Sequence, residues 1–140
     1  MASAKSAFFN QSTFAVVGAS KDQTKFGTKV LQWYKARNLN VTPIHPVQSE
    51  LEGIKTVKSV EQLEVPTETS LSIITPAPIT IEILKKAKEL SVPSIWLQPG
   101  AEDAGVVKFI KDNGLEDRVV YGGPCILVEG DELRTNKPSL

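Results

Sequence analysis

A glycine loop is the part of this sequence with the clearest capacity for chemistry. It lies in the segment FAVVGASKDQTKFG at positions 14–27, and its first residues are Gly18, Ala19 and Ser20. Glycine lets the backbone approach an anion closely, and serine adds a hydroxyl donor. A helix predicted to begin between Gln23 and Lys25 would add free N–H groups, a positive dipole end and the Lys25 ammonium. The segment predicts a phosphate-binding loop; the alternative is a loop that needs glycine only to turn.

The loop does not fit the two commonest nucleotide-binding motifs. A Walker A loop needs Gly-Lys-Ser or Gly-Lys-Thr, and the chain contains neither triplet. An NAD-binding loop has the pattern G-x-G-x-x-G, with an acidic residue near the end of the second strand. Here the next glycine after Gly18 is Gly27, and the second predicted strand ends in Ile44-His45-Pro46 without a carboxylate. These features disfavour nucleoside triphosphate hydrolysis and NAD binding.

Two residues are candidates for catalysis. His45 is the only histidine, which excludes a pair of histidine metal ligands, but one imidazole can act as an acid, a base or a phosphate contact. The alternative is a histidine held by its neighbours at a strand end. Cys125 is the only cysteine, and its thiolate can form a mixed disulfide or attack a thioester. A small buried hydrophobic side chain is the alternative for Cys125.

Three further polar residues have two interpretations each. Gln98 can donate to a ligand carbonyl, or it can fasten two loops together. Glu102 and Asp103 resemble a pair of catalytic carboxylates. Because they fall in the first turn of a predicted helix, where acidic residues suit the dipole, capping is the better interpretation. The aromatic residues Trp33, Tyr34 and Trp96 are predicted to belong to the core.

Alternating apolar runs and helical patterns predict an α/β fold. The apolar runs are short and lack clear alternation, which is typical of strands covered on both faces. The five predicted strands are 14–18, 40–45, 70–75, 94–98 and 118–122. Helices are predicted around 27–34, 79–90 and 102–113, with a possible short strand and a brief helix between residues 46 and 70.

This alternation predicts a Rossmann-like doubly wound, mainly parallel five-stranded sheet with helices on both faces. The expected strand order is 3-2-1-4-5. Ligands of such sheets bind beyond the carboxyl ends of the strands, where the order reverses. The loops expected there are GASKDQTKFG, HPV, TPAP, QPGA and GGPC.

Composition narrows the remaining function classes. The 16 Lys and Arg residues balance the 16 Asp and Glu residues, so no global field attracts nucleic acid or an anionic membrane. The single cysteine fits a reducing compartment, and no apolar run approaches the ~20 residues that span a bilayer. We expect a cytoplasmic protein with one domain over residues 1–140 and a core of about 13–129. The polar tail DELRTNKPSL is expected to be disordered or loosely attached, and nothing in the charge pattern marks an interface between subunits.

Five segments resemble the small stand-alone CoA-binding domain proteins in their order and spacing. They are VVGASKDQTKFG, VTPIHPVQSELEGIKTVKSVEQL, TPAP, IWLQPGAE and GPCILVE. The resemblance runs from about Thr13 to Glu129, and that fold is similar to the N-terminal domain of the succinyl-CoA synthetase α subunit. The sequence departs from the family pattern at His45, Ser70 and Pro124, where asparagine, aspartate and arginine are common.

The resemblance implies that CoA lies in the crevice, with its diphosphate over Gly18, Ala19 and Ser20 and with Lys25 near a phosphate. The remaining implied contacts are His45, Pro46 and Val47 beside the adenine and ribose, Thr75, Pro76 and Ala77 in the middle, and Gln98, Pro99 and Gly100 toward the pantetheine arm. Acyl-CoA ligation is not expected, because 140 residues leave no room for the second domain and the β subunit that it needs.

The leading hypothesis is a non-catalytic module that binds CoA or an acyl-CoA and carries, senses or presents it. One alternative is a small NAD(P)-binding or thioester-processing enzyme that uses Cys125 or His45. Another is an interaction scaffold that keeps the fold without the ligand. A Gly18→Val change is expected to abolish binding under the first two hypotheses, because the new side chain would occupy the diphosphate site.

Overall fold

The computed structural model describes residues 4–135. Seven strands follow one another along these residues: β1 (Thr13–Val17), β2 (Val41–Ile44), β3 (Glu50–Leu51), β4 (Ile54–Lys55), β5 (Thr69–Ile73), β6 (Ser94–Leu97) and β7 (Val119–Val120). The α-helices are α1 (Ala4–Phe8), α2 (Phe26–Ala36), α3 (Ala77–Glu89), α4 (Ala104–Asp112) and α5 (Ile126–Thr135). Two short 3₁₀ turns, Val60–Gln62 and Pro66–Glu68, lie between β4 and β5.

The predicted α/β class is confirmed. Five strands form one parallel sheet in the spatial order β2-β1-β5-β6-β7, and β3 and β4 form a separate antiparallel hairpin. Helices α1, α2 and α5 contribute to the apolar core on one face of the sheet, and α3 and α4 contribute to the core on the other. This is the doubly wound arrangement that the alternation of strands and helices predicts.

The predicted strand order, 3-2-1-4-5, is wrong for the third of the five strands. That strand, β5, pairs directly with β1, from Thr13 opposite Thr69 to Val17 opposite Ile73. In terms of the five predicted strands, the observed order is 2-1-3-4-5. The reversal therefore lies between β1 and the strand that begins at Thr69.

Pro43 gives the physical reason for this difference. The outer edge of β2 carries only one bridge, between Ile44 and Val57, in which Val57 donates its N–H to the Pro43 carbonyl at 3.1 Å. Proline has no N–H, so its outward side cannot complete a ladder with another strand. The chain therefore passes the edge of β2 and returns to the open side of β1.

The three aromatic residues predicted for the core are buried. Tyr34 and Trp96 are fully buried, and Trp33 is 6% exposed. The Tyr34 hydroxyl lies 2.7 Å from the Ser72 hydroxyl inside the sheet–helix interface. Burial raises the pKa of Tyr34, an effect that its hydrogen bond with Ser72 opposes only in part.

The two ends of the described chain differ from expectation. Helix α1 was not predicted, yet it leads into Phe8 and Phe9, which are buried against the sheet. The tail expected to be disordered begins at Asp131, but residues 131–135 belong to α5, and Asp131 is bound to Arg37, the C-cap residue of α2. Residues 136–140 lie outside the described residues. Tertiary contact with α2 thus orders a segment whose composition is polar.

The ion pair that anchors α5 gives a prediction about pH. Two hydrogen bonds from Arg37, at 2.6 and 2.8 Å, lower the pKa of Asp131 from 3.8 to about 2. Because the folded pKa is depressed, the stabilisation from this pair is present above pH 3.8 and is lost as the pH falls through about 2. NMR titration of the Asp131 carboxyl should give a midpoint of about 2.

The Arg37→Gln variant should raise that midpoint toward its ordinary value. The matched control is Arg134→Gln, because Arg134 contributes less than Arg37 to the lowered pKa of Asp131. An unchanged midpoint in Arg37→Gln would contradict the assignment.

Candidate functional site

The candidate site lies at the carboxyl ends of β1 and β5. The chain leaves β1 toward α2 on one face of the sheet and leaves β5 toward α3 on the other. Two neighbouring parallel strands whose connections diverge in this way leave a crevice between their following loops. The crevice is therefore bordered by the loop that begins at Gly18 and by the loop at residues 74–77.

Gly18 holds these two loops together. Its φ is +117°, and the preceding Val17 carbonyl accepts a hydrogen bond of 2.8 Å from the Ile74 N–H. A Cβ atom at Gly18 would lie 2.0 Å from the Ile74 carbonyl oxygen. Only glycine fits this backbone conformation and this close approach.

Gly27 brings α2 against the same loop. A Cβ atom at Gly27 would lie 2.2 Å from the Gly18 carbonyl oxygen. Lys25 is the N-cap of α2, and no side chain caps this end of the helix. The first N–H groups of a helix have no partner within the helix, and the dipole makes this end positive. The start of α2 is therefore an anion-attracting group placed directly beside the Gly18 peptide.

Hydrogen bonds within the loop fix its shape. The Ser20 N–H donates to the Thr28 hydroxyl at 3.1 Å, and that hydroxyl donates to the Ser20 carbonyl at 2.9 Å. The Ser20 hydroxyl accepts from the Asp22 N–H at 3.1 Å. Asp22 accepts from the hydroxyl and the N–H of Thr24, and these bonds lower the pKa of Asp22. The loop is thus organised before any ligand arrives.

An apolar groove, here called the β2–α3 groove, opens on one side of this loop. Its volume is about 320 Å³. Its apolar walls come from the ends of β1 and β2, the first 3₁₀ turn and α3, and they are Val17, Ile44, Pro46, Val60, Ile79 and Ile83. Lys58, Ser59, Glu61, Glu82 and Lys86 complete the lining. The groove combines an apolar interior with a charged rim.

A second groove, here called the β5–β6 groove, lies between the loops that follow β5 and β6. Its volume is about 410 Å³, and it is lined by Ile74, Thr75, Pro76, Pro99, Gly100 and Ala101. Residue 74 also contacts the Gly18 backbone, as described above. The two grooves therefore border the same crevice from its two sides.

The comparisons with known proteins agree with this architecture. A family model described as a CoA binding domain matches residues 12–131, which include the glycine loop and both grooves. The chain belongs to this CoA-binding domain family. Among curated proteins, none matches the chain.

Solved structures resemble this CoA-binding domain closely. A conserved hypothetical protein from Pyrococcus furiosus is 31% identical, with a TM-score of 0.74, over 84% of this chain and 97% of that chain. A protein from Thermus thermophilus is 28% identical, with a TM-score of 0.75, over 91% of this chain and 94% of that chain. A hypothetical protein from Pyrococcus horikoshii OT3 is 19% identical over 93% of this chain and 89% of that chain, and its TM-score of 0.78 supports the fold alone.

Several residues that the sequence predicted for the site lie along the crevice of this CoA-binding domain. Pro46 lines the β2–α3 groove, and Thr75, Pro76, Pro99 and Gly100 line the β5–β6 groove. Ala77 is the first residue of α3 and is half-buried. Val47 is 79% exposed in the loop after β2.

The two catalytic candidates, His45 and Cys125, both accept hydrogen bonds from neighbouring residues. The His45 Nδ1 accepts from the N–H groups of Val47 and Gln48, at 3.0 and 2.9 Å. This geometry favours the interpretation of a histidine that shapes the end of its strand. The half-buried Cys125 precedes α5, and its Sγ accepts from the Gln98 Nε2 at 3.4 Å. Among the described residues that line the two grooves there is neither a histidine nor a cysteine.

Gln98 fastens two loops together. Its side chain is fully buried, and its Oε1 accepts from the Ile126 N–H at 2.8 Å while its Nε2 donates to Cys125. We expect Gln98→Ala to lower the free energy of unfolding by roughly 1–3 kcal/mol, because the buried Ile126 N–H loses its partner.

Urea unfolding monitored by circular dichroism measures this effect. The Cys125→Ala variant is the control, since it removes only the weak sulfur acceptor and leaves the bond to Ile126. If both variants unfolded at the same urea concentration, the fastening role would be wrong.

Glu102 and Asp103, the two carboxylates at the start of α4, have different structural roles. Asp103 is the N-cap of α4 and accepts from the Val106 N–H at 3.0 Å, so the predicted capping is confirmed for this residue. Glu102 instead accepts from the Gly122 N–H at 2.7 Å and holds the loop after β7. Sequence spacing alone does not separate these two roles.

Sequence reasoning missed most of the β2–α3 groove. Ile79 and Ile83 follow helical core spacing, but the buried face of α3 consists of Thr80, Leu84 and Ala87. Ile79 is 51% exposed at the groove. The available signal was that α3 carries more apolar residues than one buried face requires.

Within residues 4–135, two kinds of site are not found. No cluster of histidine, cysteine or acidic side chains is arranged to hold a metal ion. No helix is long and apolar enough to cross a membrane.

Proposed function

We propose that this chain binds CoA or an acyl-CoA in the crevice between β1 and β5, as a carrier, sensor or regulatory module rather than as an enzyme. One observation carries the proposal. The uncapped start of α2 lies against the Gly18 peptide, and a groove opens on each side of the crevice. Membership of the CoA-binding domain family makes CoA the ligand that we assign to this geometry.

The loop and the start of α2 would hold the diphosphate. Gly18 and Ala19 bring the backbone to the crevice, and the N-terminal N–H groups of α2 can donate to phosphate oxygens. Lys25 lies at the N-cap and adds a positive charge to the same place. The Ser20 N–H is already bonded to Thr28, so it supports the shape of the loop.

The two grooves would hold the two ends of the ligand. The β2–α3 groove has the apolar walls that a planar adenine base requires, with Pro46 and the loop from His45 to Val47 near the ribose. The β5–β6 groove offers a path for the pantetheine arm between Thr75 and Gly100. CoA supplies a thiol, or a thioester in its acylated form, at the end of this path.

The surroundings of the candidate nucleophile and base support a binding role. The His45 Nδ1 is occupied by two backbone N–H groups, and Cys125 lies outside the lining of both grooves. A general base must be within hydrogen-bond reach of the proton that it removes. Binding without turnover is therefore the role that the described residues support best.

Thermal unfolding of the purified chain tests the proposal. CoA, acetyl-CoA, NAD⁺, NADP⁺ and ATP are each added alone at saturating concentration. A ligand at ~100 times its dissociation constant stabilises the folded state by about 2.7 kcal/mol, which raises Tm by several degrees for a domain of this size.

We expect a rise with CoA and acetyl-CoA and none with NAD⁺. An unchanged Tm with both CoA and acetyl-CoA would contradict the proposal. Thioester turnover that is lost in Cys125→Ala would favour the enzyme alternative.

A further inference from the structure

The charged rim of the β2–α3 groove contains one uncompensated cation. Glu82 lies 3.5 Å from Lys85, and Glu61 lies 3.7 Å from Lys86, so these rim charges are paired. Lys58 lines the same groove and forms no ion pair with any residue in the range 4–135. An anionic group on a ligand in this groove would therefore meet Lys58 as its unmatched partner.

The neighbouring Ser59 offers a second unused polar group. It precedes the 3₁₀ turn Val60–Gln62, but its side chain does not cap that turn. Within residues 4–135 its hydroxyl makes no hydrogen bond, although Ser59 is half-buried and lines the groove. A cation and a hydroxyl donor thus stand side by side at the mouth of an apolar groove.

The backbone that carries these two residues is held in place. The Val57 carbonyl accepts from the His45 N–H at 2.9 Å, which ties the segment to the end of β2. The Lys58 N–H donates to the Gln62 Oε1 at 2.9 Å. The two side chains therefore start from a fixed position beside the groove rather than from a free loop.

We infer that Lys58 and Ser59 bind a phosphomonoester on the ribose of the ligand, which is the 3′-phosphate of CoA. This inference rests on the proposed function. A phosphomonoester carries close to two negative charges near neutral pH and three strong acceptor oxygens, so it can pair with the ammonium and accept from the hydroxyl. The adenine in the groove and the ribose near Pro46 would bring this phosphate to the rim.

The same arrangement makes the site discriminate between nucleotides. Dephospho-CoA keeps the adenine, the diphosphate and the pantetheine arm but leaves Lys58 unmatched. Glu61 and Glu82 are already paired with lysines, so they do not replace the phosphate as partners for Lys58. A hydrogen bond to a charged group is strong enough to give a preference of about tenfold or more for CoA.

Isothermal titration calorimetry with CoA and dephospho-CoA tests this inference, and NADP⁺ is titrated separately as a check on the class of ligand. The proteins are the wild-type chain, Lys58→Met, Ser59→Ala and the control Lys111→Met. Lys111 is an exposed lysine on α4 outside both grooves. We expect the wild-type chain and Lys111→Met to bind CoA about tenfold more tightly than dephospho-CoA.

In Lys58→Met the affinity for CoA should fall to the affinity for dephospho-CoA. The affinity for dephospho-CoA should itself change little in this variant. Ser59→Ala should lose part of the preference for CoA over dephospho-CoA. Equal affinities for CoA and dephospho-CoA in the wild-type chain would overturn the inference and leave the proposed function intact. A preference that survives in Lys58→Met would also overturn it. If neither CoA nor dephospho-CoA binds, or if only NADP⁺ binds, the inference and the proposed function both fail.

Discussion

Replacing Gly18 by alanine is expected to lower the free energy of unfolding by about 3 kcal/mol, more than a surface substitution does. Two terms add up to this value. A non-glycine residue at a φ of +117° is strained by roughly 1–2 kcal/mol. The new Cβ would also lie 2.0 Å from the Ile74 carbonyl oxygen, and forcing such groups apart costs about 1–3 kcal/mol.

A matched control separates the two terms. Gly123 has a φ of +111°, but a Cβ there would meet no atom within 4 Å. Gly123→Ala should therefore lose only the conformational term, roughly 1–2 kcal/mol. Urea unfolding of both variants measures the difference, and equal losses would contradict the close approach of Gly18 to Ile74.

This contact changes how a Gly18 variant is interpreted. Gly18→Val was expected to act by occupying the diphosphate site. The Cβ direction at Gly18 leads instead to the Ile74 backbone, so the variant first disturbs the contact between the two loops. Loss of CoA binding in Gly18→Val is therefore meaningful only when folding is measured beside it.

Replacing Gly27 by alanine is expected to weaken CoA binding by about tenfold or more, since the start of α2 must move away from the loop. The new Cβ would lie 2.2 Å from the Gly18 carbonyl oxygen and 3.0 Å from the Ala19 nitrogen. Both neighbours are backbone atoms, which cannot turn aside as a side chain can. A hydrogen bond from the α2 N-terminus to a phosphate is charge-assisted, and its loss accounts for this factor.

We expect Gly27→Ala to lower the free energy of unfolding, although alanine is the better helix former. Alanine favours a helix over glycine by up to ~1 kcal/mol, but the clash with Gly18 should exceed this gain and leave a net loss of about 1–2 kcal/mol. Gly105 is the matched control, because it is the second residue of α4 as Gly27 is of α2. Its Cβ would approach only the Asp103 carboxylate at 3.3 Å and Ile81 at 3.9 Å. If Gly27→Ala were as stable as Gly105→Ala and bound CoA normally, the account of the loop would be wrong.

The parts of the fold that were predictable are those with local signals. The glycine loop, the strands of the main sheet and helices α2, α3 and α4 follow from apolar periodicity, glycine and capping residues. Asp103 caps α4 as its position indicates. These features depend on residues close together in the chain.

The features that were missed depend on distant contacts. The position of β5 beside β1 joins residues 56 apart in the chain, from Thr13 opposite Thr69 to Val17 opposite Ile73. Its one clue, Pro43, acts by limiting the other edge of β2. Helix α5 contains Gly130 and three acidic residues in a weakly amphipathic sequence, and it is ordered by packing on Trp33 and by the pair with Arg37. Neither contact is visible in local sequence.

The candidate site also has a part that local sequence predicts and a part that depends on distant contacts. The loops of the crevice carry glycine and proline, which mark them in the sequence. The β2–α3 groove instead takes Lys58 and Ser59 from an irregular segment and Ile79 from a helix face that periodicity assigns to the core. Such a combination arises only when the chain is folded.

Mapping of CoA on the amide spectrum of the ¹⁵N-labelled chain shows which loops of the fold contact the ligand. We expect CoA to shift the amides of the residues that surround the crevice, namely Gly18, Ala19, Val47, Ile79 and Gly100. A separate groove of about 390 Å³ lies at the opposite ends of the strands, beside Gln11, Asn38 and Asn40. Shifts confined to that groove, or no shifts at saturating CoA, would contradict the assignment of the crevice between β1 and β5.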